Sequence, residues 1–268
     1  MIATIIINQK LGKMTKILCV ANQKGGVGKS TTAVNLASFL GASGKRVLLV
    51  DADSQANASS GLGVSLNEDE FSMYDLITNK ALTPRNVIRK TAFNIDLIPS
   101  HINLSGAELE LINRLGRETV LKKALAPVIN DYDIIIIDTP PALSLISINC
   151  LVTSTDVIIT VESNPLALAG LQRLFDTIEQ VRAELNPDLK VSGIIITMFN
   201  AQTKLAQSVL EKLNADSKTK DLVFSQYIRR NIKLAEAMDA GKPINFFDTA
   251  CNGFEDYQQL ANEFLIKL

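Results

Sequence analysis

This 268-residue chain has little histidine, no tryptophan and no closely spaced cysteines. It has one histidine, no tryptophan and three cysteines. The single histidine, His101, cannot build a histidine-ligated metal site, and Cys19, Cys150 and Cys251 form no C-x-x-C pair. This pattern argues against a zinc site or a disulfide framework and favours buried thiols in a reducing compartment.

A charge excess and long apolar runs are also missing. The chain has 27 Lys+Arg and 28 Asp+Glu, a net charge of −1, so any DNA contact has to come from a local patch. No apolar run approaches the roughly 18 residues of a membrane-spanning helix. Residues 1–13 lack the charged region and cleavage site of a signal peptide. At 47% hydrophobic, the chain can bury a sizeable core.

A glycine-rich segment between a predicted strand and a predicted helix stands out among what is present. Residues 17–21 form an apolar run, residues 24–30 read Lys-Gly-Gly-Val-Gly-Lys-Ser, and a helical pattern follows from Ala33. A strand, a glycine loop and a helix in this order surround an anion with backbone N–H groups. The segment therefore predicts a phosphate-binding loop.

The side chains of this loop suit a nucleoside triphosphate. Glycines let the backbone approach phosphate oxygens, Lys29 can reach the β- and γ-phosphates, and the Ser30 hydroxyl can hold Mg²⁺. The alternative is a glycine-rich turn with solvated lysines and no ligand. The predicted nucleotide-binding residues are Lys24, Gly25, Gly26, Val27, Gly28, Lys29, Ser30 and Thr31.

Three carboxylates follow other predicted strands. Residues 46–50 form a continuous apolar strand pattern that leads to Asp51 and Asp53, and residues 134–137 lead in the same way to Asp138. Ligands of open parallel sheets bind at the carboxyl ends of the strands. Asp138 is therefore expected to hold Mg²⁺, through water. Turn or helix-capping aspartates are the alternative.

The remaining patterns alternate between strands and helices. This alternation predicts an α/β fold, a three-layer, mostly parallel twisted sheet with helices on both faces, as in P-loop NTPases. Further strands are expected at 94–98, 156–161 and 191–198. Helices are expected at 30–43, 104–113, 118–129, 164–183, 203–213 and 254–265, with short helical pieces around 74–76 and 84–90.

The phosphate loop departs from the usual G-x-x-x-x-G-K-[ST] pattern. Gln23 stands at the first glycine position, and Lys24 adds a second lysine. In this it resembles the deviant Walker A box of the ParA/MinD family of P-loop ATPases. Residues 51–57 resemble the family's D-x-D-P-Q-x-N box, with Ser54 in place of proline.

A late segment narrows the resemblance to the short, Soj-type chromosome-partitioning ParA proteins. Residues 228–243 are similar to their I-P-R-x-x-x-L-x-E-A-x-x-x-G-K-P signature, with Arg229 at the proline position. The resemblance covers nearly all of residues 15–268, which are expected to form one ATPase domain. Residues 1–14 are expected to be a loose extension, with residues 1–13 dispensable for ATP binding.

The resemblance implies an ATP hydrolase that uses Mg²⁺. In the family, the first lysine, here Lys24, crosses a dimer interface to the partner's nucleotide. By resemblance, Asp53 positions the attacking water and, with Lys24 and Lys29, completes the catalytic set. Asp51 would support the water shell of a metal held by Ser30 and Asp138. Asn200 lies where some members hydrogen-bond adenine, and a simple turn asparagine is the alternative.

The resemblance also implies partners. They are a second copy of the chain in the presence of ATP, non-specific DNA and a ParB-like centromere-binding protein, in the cytoplasm at the nucleoid. Gln202 stands where related proteins often carry a DNA-binding arginine, and Asn164 where they often carry a glutamate. The candidate DNA contacts are Lys204, Arg229, Arg230 and Lys233, for which an ordinary solvated face is the alternative.

Two other functions remain open. A MinD-like membrane switch needs a basic amphipathic C-terminal helix, whereas residues 264–268 carry one lysine, so no membrane contact is expected. A metabolic or redox enzyme on the same scaffold is the third interpretation. An iron–sulfur reductase would need cluster cysteines at a dimer interface, and only Cys150 is placed suggestively.

Overall fold

The computed structural model describes residues 14–67, 69–164 and 167–267. The expectation about residues 1–13 lies outside this part of the chain. In the described ranges no helix is both long and apolar enough to cross a membrane.

Within the described ranges, seven strands build one sheet. In chain order they are β1 (Lys16–Ala21), β2 (Val47–Asp51), β3 (Arg89–Lys90), β4 (Asp96–Ile98), β5 (Ile134–Asp138), β6 (Asp156–Glu162) and β7 (Lys190–Thr197). Their order across the sheet is β3-β4-β2-β5-β1-β6-β7. Every pairing is parallel except that of β3 with β4, so the predicted fold class is confirmed.

Helices connect the strands and follow the last one. The first six are α1 (Lys29–Ala42), α2 (Asn57–Ser60), α3 (Met73–Thr78), α4 (Pro84–Val87), α5 (Ala107–Leu111) and α6 (Val120–Leu125). The others are α7 (Leu145–Thr153), α8 (Ala167–Glu184), α9 (Lys204–Ala215), α10 (Ile232–Asp239), α11 (Ile244–Phe247) and α12 (Asn252–Lys267). Short 3₁₀ turns lie at Ile102–Gly106, Arg117–Thr119 and Ile129–Asp131.

Both faces of the sheet are buried, as the apolar strand runs predict. In β1, Ile17 and Cys19 belong to one hydrophobic cluster and Leu18 and Val20 to the other. The first cluster includes residues of α6, α7, α8 and α9, and the second includes residues of α1, α10 and α12. The central position of β1, between β5 and β6, brings the loop after it to the middle of the sheet's carboxyl edge.

Some predicted elements differ from those observed. The segment predicted as helical at 84–90 ends its helix at Val87, and Arg89–Lys90 instead pairs antiparallel with β4. The segment predicted at 104–113 divides into a 3₁₀ turn and a short α-helix, α5. In both segments tertiary contacts override a local helical pattern, which is a weak signal over so few residues.

Candidate active site

The phosphate-binding loop connects β1 to α1. Gly26 and Gly28 adopt φ values of 73° and 77°, a left-handed conformation that side chains disfavour. Gly28 occupies the N-cap position of α1, and no side chain caps the helix. The first N–H groups of α1 therefore face the interior of the loop, at the positive end of the helix dipole. This arrangement is suited to an anion.

Lys29 lies inside this loop. Its side chain is buried, and its ammonium donates to the backbone carbonyl of Lys24 at 3.2 Å. Burial lowers the pKa of Lys29, while the nearby carboxylates of Asp138 and Asp53 oppose that shift. The geometry places one cation beside two carboxylates at the bottom of the loop.

Lys24 points elsewhere. Its ammonium contacts the Glu162 carboxylate at 2.6 Å, and 46% of its side chain is exposed. Its backbone N–H donates to the side-chain oxygen of Asn22 at 2.8 Å. The amide nitrogen of Asn22 in turn donates to the Thr160 carbonyl, so the start of the loop is attached to β6. Lys29 therefore lies buried inside the loop, whereas Lys24 lies at its exposed rim beside Glu162.

Asp138 ends β5 and is fully buried. Among the residues that the structure describes, none donates a hydrogen bond of good geometry to either carboxylate oxygen, although Ser30 lies close enough to favour the ionised form. Burial raises the pKa of Asp138 well above its ordinary value, and the Asp51 carboxylate across the β2–β5 pairing raises it further. A buried carboxylate without a donor is costly unless a cation compensates it, so this position fits a metal.

Asp51 and Asp53 have different environments. The buried Asp51 carboxylate accepts hydrogen bonds from the Ser59 N–H and hydroxyl at 2.8 and 2.7 Å, and from the Asp53 N–H at 3.2 Å. Burial raises the pKa of Asp51 to about 6, and the Ser59 donors counteract part of that shift. Asp51 thus fixes the loop that carries Asp53. The Asp53 carboxylate accepts from the Gln55 N–H at 3.0 Å.

A cleft of about 570 Å³ opens in front of the loop. Asp53 lines it together with Lys29, Ser30 and the loop glycines, whereas Asp51 and Asp138 lie behind its surface. Residues of α10 close the far side. A side chain that lines this cleft can contact a phosphate or the water that attacks it, so Asp53 is the accessible carboxylate of the set.

A second, more apolar cavity of about 390 Å³ adjoins the loop at Gly28 and Thr31. Three other parts of the chain form its remaining walls: the end of β7, α10 together with the segment before it, and α12. These walls include Met198, Ile228, Leu234 and the buried Tyr257, whose hydroxyl lies 3.1 Å from that of Thr32. An apolar cavity beside a phosphate site has the character that a nucleobase requires.

The predicted adenine- and DNA-contacting residues lie outside this centre, and their local contacts differ. The Asn200 side-chain oxygen accepts from the Gln202 N–H at 3.1 Å, within a turn. Arg229 forms hydrogen bonds with the buried Asp256 and with Glu255, which raise its pKa. Arg230 is 69% exposed, and its guanidinium lies 3.9 Å from Glu162.

The other two named lysines lie on helix surfaces. Lys233 pairs with Glu236 at 2.7 Å. Lys204 is exposed, and no residue in the described ranges pairs with it. Arg229 therefore has its charge neutralised within the fold, the exposed Arg230 lies at a longer distance of 3.9 Å from Glu162, and Lys204 leaves its charge available at the surface.

Another groove, of about 690 Å³, lies at the opposite edge of the sheet. Three of its four lining cations are already paired, Arg46 with Asp133, Arg85 with Asp131 and Lys90 with Asp96, and the fourth is Lys45. Cys19 and Cys150 are buried, and burial raises the pKa of both thiols. Neither the groove nor these thiols offers the chemistry of the loop.

Sequence reasoning missed several residues that hold the site. Asn22, Ser59 and Glu162 carry no motif of their own, and their roles depend on contacts between distant segments. The contact between Gly63 and Gly241 was also missed, because Gly241 stands in the 228–243 signature but Gly63 lies outside every motif. The two acidic partners of Arg229 lie 26 and 27 positions away, beyond any local pattern.

Comparisons with known proteins agree with this geometry. The profile of a family described as an AAA domain matches residues 15–191. The chain is 44% identical over 250 residues to the sporulation initiation inhibitor protein Soj of Bacillus subtilis (strain 168), covering 93% of this chain and 98% of that protein. It is 42% identical over 255 residues to the chromosome-partitioning ATPase Soj of Treponema pallidum (strain Nichols), covering 95% and 98%.

A solved structure gives the same fold. The cobyrinic acid a,c-diamide synthase of Mycobacterium smegmatis with bound ADP and magnesium superposes with a TM-score of 0.81 at 33% identity, covering 94% of each chain.

Proposed function

The chain belongs to the ParA/Soj family of P-loop ATPases, which it matches over most of its length, and we propose that it partitions a chromosome or plasmid. Its reaction is the hydrolysis of ATP to ADP and phosphate. ATP and Mg²⁺ are its cofactors, and homologous structures hold ADP or an ATP analogue together with magnesium. The observation that carries the proposal is the near full-length match to a chromosome-partitioning ATPase.

The residues present fit Mg-ATP. The uncapped start of α1 and its loop glycines suit the phosphates, and the partnerless Asp138 carboxylate suits a cation. Ser30 and Asp138 would hold Mg²⁺, with Asp51 supporting its water shell. When bound, Mg²⁺ neutralises charge on the β- and γ-phosphates. Lys29 binds the same phosphates from the floor of the loop.

Asp53 is the proposed positioning group for the attacking water. It lines the cleft in front of the loop, and the Asp51–Ser59 contacts fix the backbone that carries it. Phosphoryl transfer to water depends mainly on positioning and on charge neutralisation. A carboxylate at this position can orient the water and accept its proton.

Lys24 is proposed to act in a second subunit. It is half-exposed at the rim of the loop, while Lys29 already serves the subunit's own phosphates. In an ATP-bound dimer, Lys24 would reach the partner's nucleotide. This gives each site two lysines, one from each chain.

The apolar cavity beside Gly28 is the proposed place of adenine. Met198, Ile228 and Leu234 offer it apolar contact. Asn200 remains the proposed hydrogen-bonding partner of the base, through the amide nitrogen that its turn does not use.

DNA contact is proposed for a surface around the segment before α10. Lys204 and Arg230 are the main proposed contacts, because Lys204 is exposed and Arg230 is 69% exposed and lies 3.9 Å from its carboxylate neighbour, Glu162. Lys233 and Arg229 contribute less, since carboxylates in the same subunit already pair with both. Dimerisation would double the number of phosphate contacts, and this allows a chain of net charge −1 to bind DNA.

A ParB-like centromere-binding protein is the proposed partner, and it would stimulate a slow intrinsic hydrolysis. The proposed location is the cytoplasm, at the nucleoid. The names of the relatives favour this reading over a MinD-like membrane switch, because the Treponema relative is called a chromosome-partitioning ATPase.

A gel shift with non-specific DNA tests the proposal. With ATP and Mg²⁺ the protein should retard duplexes of unrelated sequence equally, and without nucleotide it should not. The parallel experiment is sedimentation with anionic liposomes and ATP. Sedimentation with liposomes and no DNA shift would instead support the membrane switch.

A further inference from the structure

We propose that Glu162 is the positioning residue of Lys24. In the free subunit Glu162 holds the Lys24 ammonium over its own sheet, and it releases this ammonium when a second subunit supplies a nucleotide phosphate. The inference rests on the proposed role of Lys24 in the dimer.

The backbone of Lys24 is fixed on both sides. Its N–H donates to Asn22 at 2.8 Å, and its carbonyl accepts from Lys29 at 3.2 Å. Asn22 is attached to β6 through the Thr160 carbonyl. Movement of Lys24 is therefore confined to its side chain, whose only charged contact in the described part of the chain is Glu162.

Glu162 is placed to receive that side chain. It is the last residue of β6, which pairs with β1, and a Glu162 oxygen (Oε2) lies 2.6 Å from the Lys24 ammonium. The Glu162 side chain is 20% exposed, compared with 46% for Lys24. The carboxylate is thus held by the fold, and the lysine is the mobile partner.

A second cation makes the release inexpensive. The Arg230 guanidinium lies 3.9 Å from the other oxygen of Glu162 (Oε1). When Lys24 leaves, Glu162 keeps a cationic neighbour from a different segment. Half-buried carboxylates left without a partner are costly, so this neighbour favours a contact that can open.

The strength of the Lys24–Glu162 ion pair sets the size of the expected change in dimerisation. Exposed lysine–carboxylate pairs contribute modestly, and the energies measured for them correspond to about a two- to five-fold change in an equilibrium constant. Glu162 is therefore expected to tune dimerisation without abolishing it.

The first experiment measures the contact in the nucleotide-free protein. Trace labelling with acetic anhydride followed by peptide mass spectrometry gives the labelling rate of Lys24 relative to Lys204. In Glu162→Gln, Lys24 should label about two- to five-fold faster than in the wild type. The matched control, Glu179→Gln, removes a carboxylate that pairs with Arg182 on α8 and should leave Lys24 unchanged. An unchanged Lys24 rate in Glu162→Gln overturns the proposal.

The second experiment measures the release. Sedimentation velocity gives the concentration of a non-hydrolysable ATP analogue at which half the protein is dimeric. Glu162→Gln should need about two- to five-fold less analogue than the wild type or Glu179→Gln at low salt, and high salt should remove the difference. An equal or higher requirement overturns the release step, because Glu162 would then not restrain Lys24.

The two readouts separate this inference from the proposed function. If neither the wild type nor any variant dimerises with nucleotide, the dimer function is wrong and the release step falls with it. The labelling rate still decides, in that case, whether Glu162 holds Lys24.

Discussion

Gly63 and Gly241 meet backbone to backbone. A β-carbon on Gly241 would lie 2.7 Å from the Gly63 α-carbon, and both residues have positive φ values, 69° and 65°. Gly63 lies just after α2, the short helix that follows Asp53, and Gly241 follows α10, which closes the cleft in front of the phosphate loop. The segment that follows the D-x-D box is thus packed directly against the late G-K-P box.

Gly241→Ala should therefore disturb both stability and hydrolysis. The β-carbon is strained by the positive φ and also clashes with Gly63, so the free energy of unfolding should fall by about 3 kcal/mol. Gly44→Ala is the matched control: Gly44 has a φ of 86° but nothing within 4 Å of a β-carbon, and it should cost only about 1 kcal/mol. Urea unfolding and ATP turnover measure both variants. Equal losses would show that the Gly63–Gly241 contact has no role.

The two loop lysines should have separable functions. Lys29→Ala removes a buried cation from the subunit's own phosphates and should weaken ATP binding roughly 10- to 100-fold. Lys24→Ala should bind ATP about as well as the wild type but fail to dimerise with it. Fluorescent-nucleotide titration and sedimentation velocity give the two quantities. An ATP dimer of normal stability in Lys24→Ala would rule out the cross-interface role.

Asp138→Asn should reveal the cost of the partnerless carboxylate. The folded protein raises the pKa of Asp138, so this residue favours folding at low pH and loses that contribution as the pH rises past its ordinary range. The stability of Asp138→Asn relative to the wild type should therefore increase from pH 4 to pH 7 in nucleotide-free protein. The rise in melting temperature that Mg²⁺ adds to bound ATP should disappear. A stability difference between Asp138→Asn and the wild type that stays constant from pH 4 to pH 7 would contradict a raised pKa of Asp138 in the folded protein.

DNA affinity should depend on the charge of Arg230. Arg230→Glu should weaken binding evenly across sequences and flatten the plot of log K against log salt by about two units per dimer, since each subunit loses about one phosphate contact. Arg85→Glu is the control, because Arg85 is exposed at the opposite edge of the sheet. Arg229 is unsuitable for this test, since its replacement would leave the buried Asp256 carboxylate without its cationic partner. Loss of binding to one sequence only would contradict non-specific contact.

The sequence predicted the centre of the site better than its supports. The loop, Asp53 and Asp138 could be placed because each follows a long apolar strand run, and parallel strands bring their carboxyl ends to one edge. Asn22, Glu162 and Ser59 could not be assigned, because their roles depend on contacts across 138 and 8 positions. The short strand at Arg89–Lys90 lies within a predicted helix, because two residues carry no usable period.

Hydrolysis by Asp53→Ala tests the central claim, that a positioned carboxylate times the release of an ATP-bound dimer. The variant keeps the loop, Lys29 and Asp138, so it should bind Mg-ATP and dimerise like the wild type. Single-turnover hydrolysis should fall by roughly two or more orders of magnitude, whereas Asp176→Ala, on the exposed surface of α8, should match the wild type. Wild-type turnover in Asp53→Ala would contradict the account and move the catalytic role to another residue, with Asp51 the next candidate.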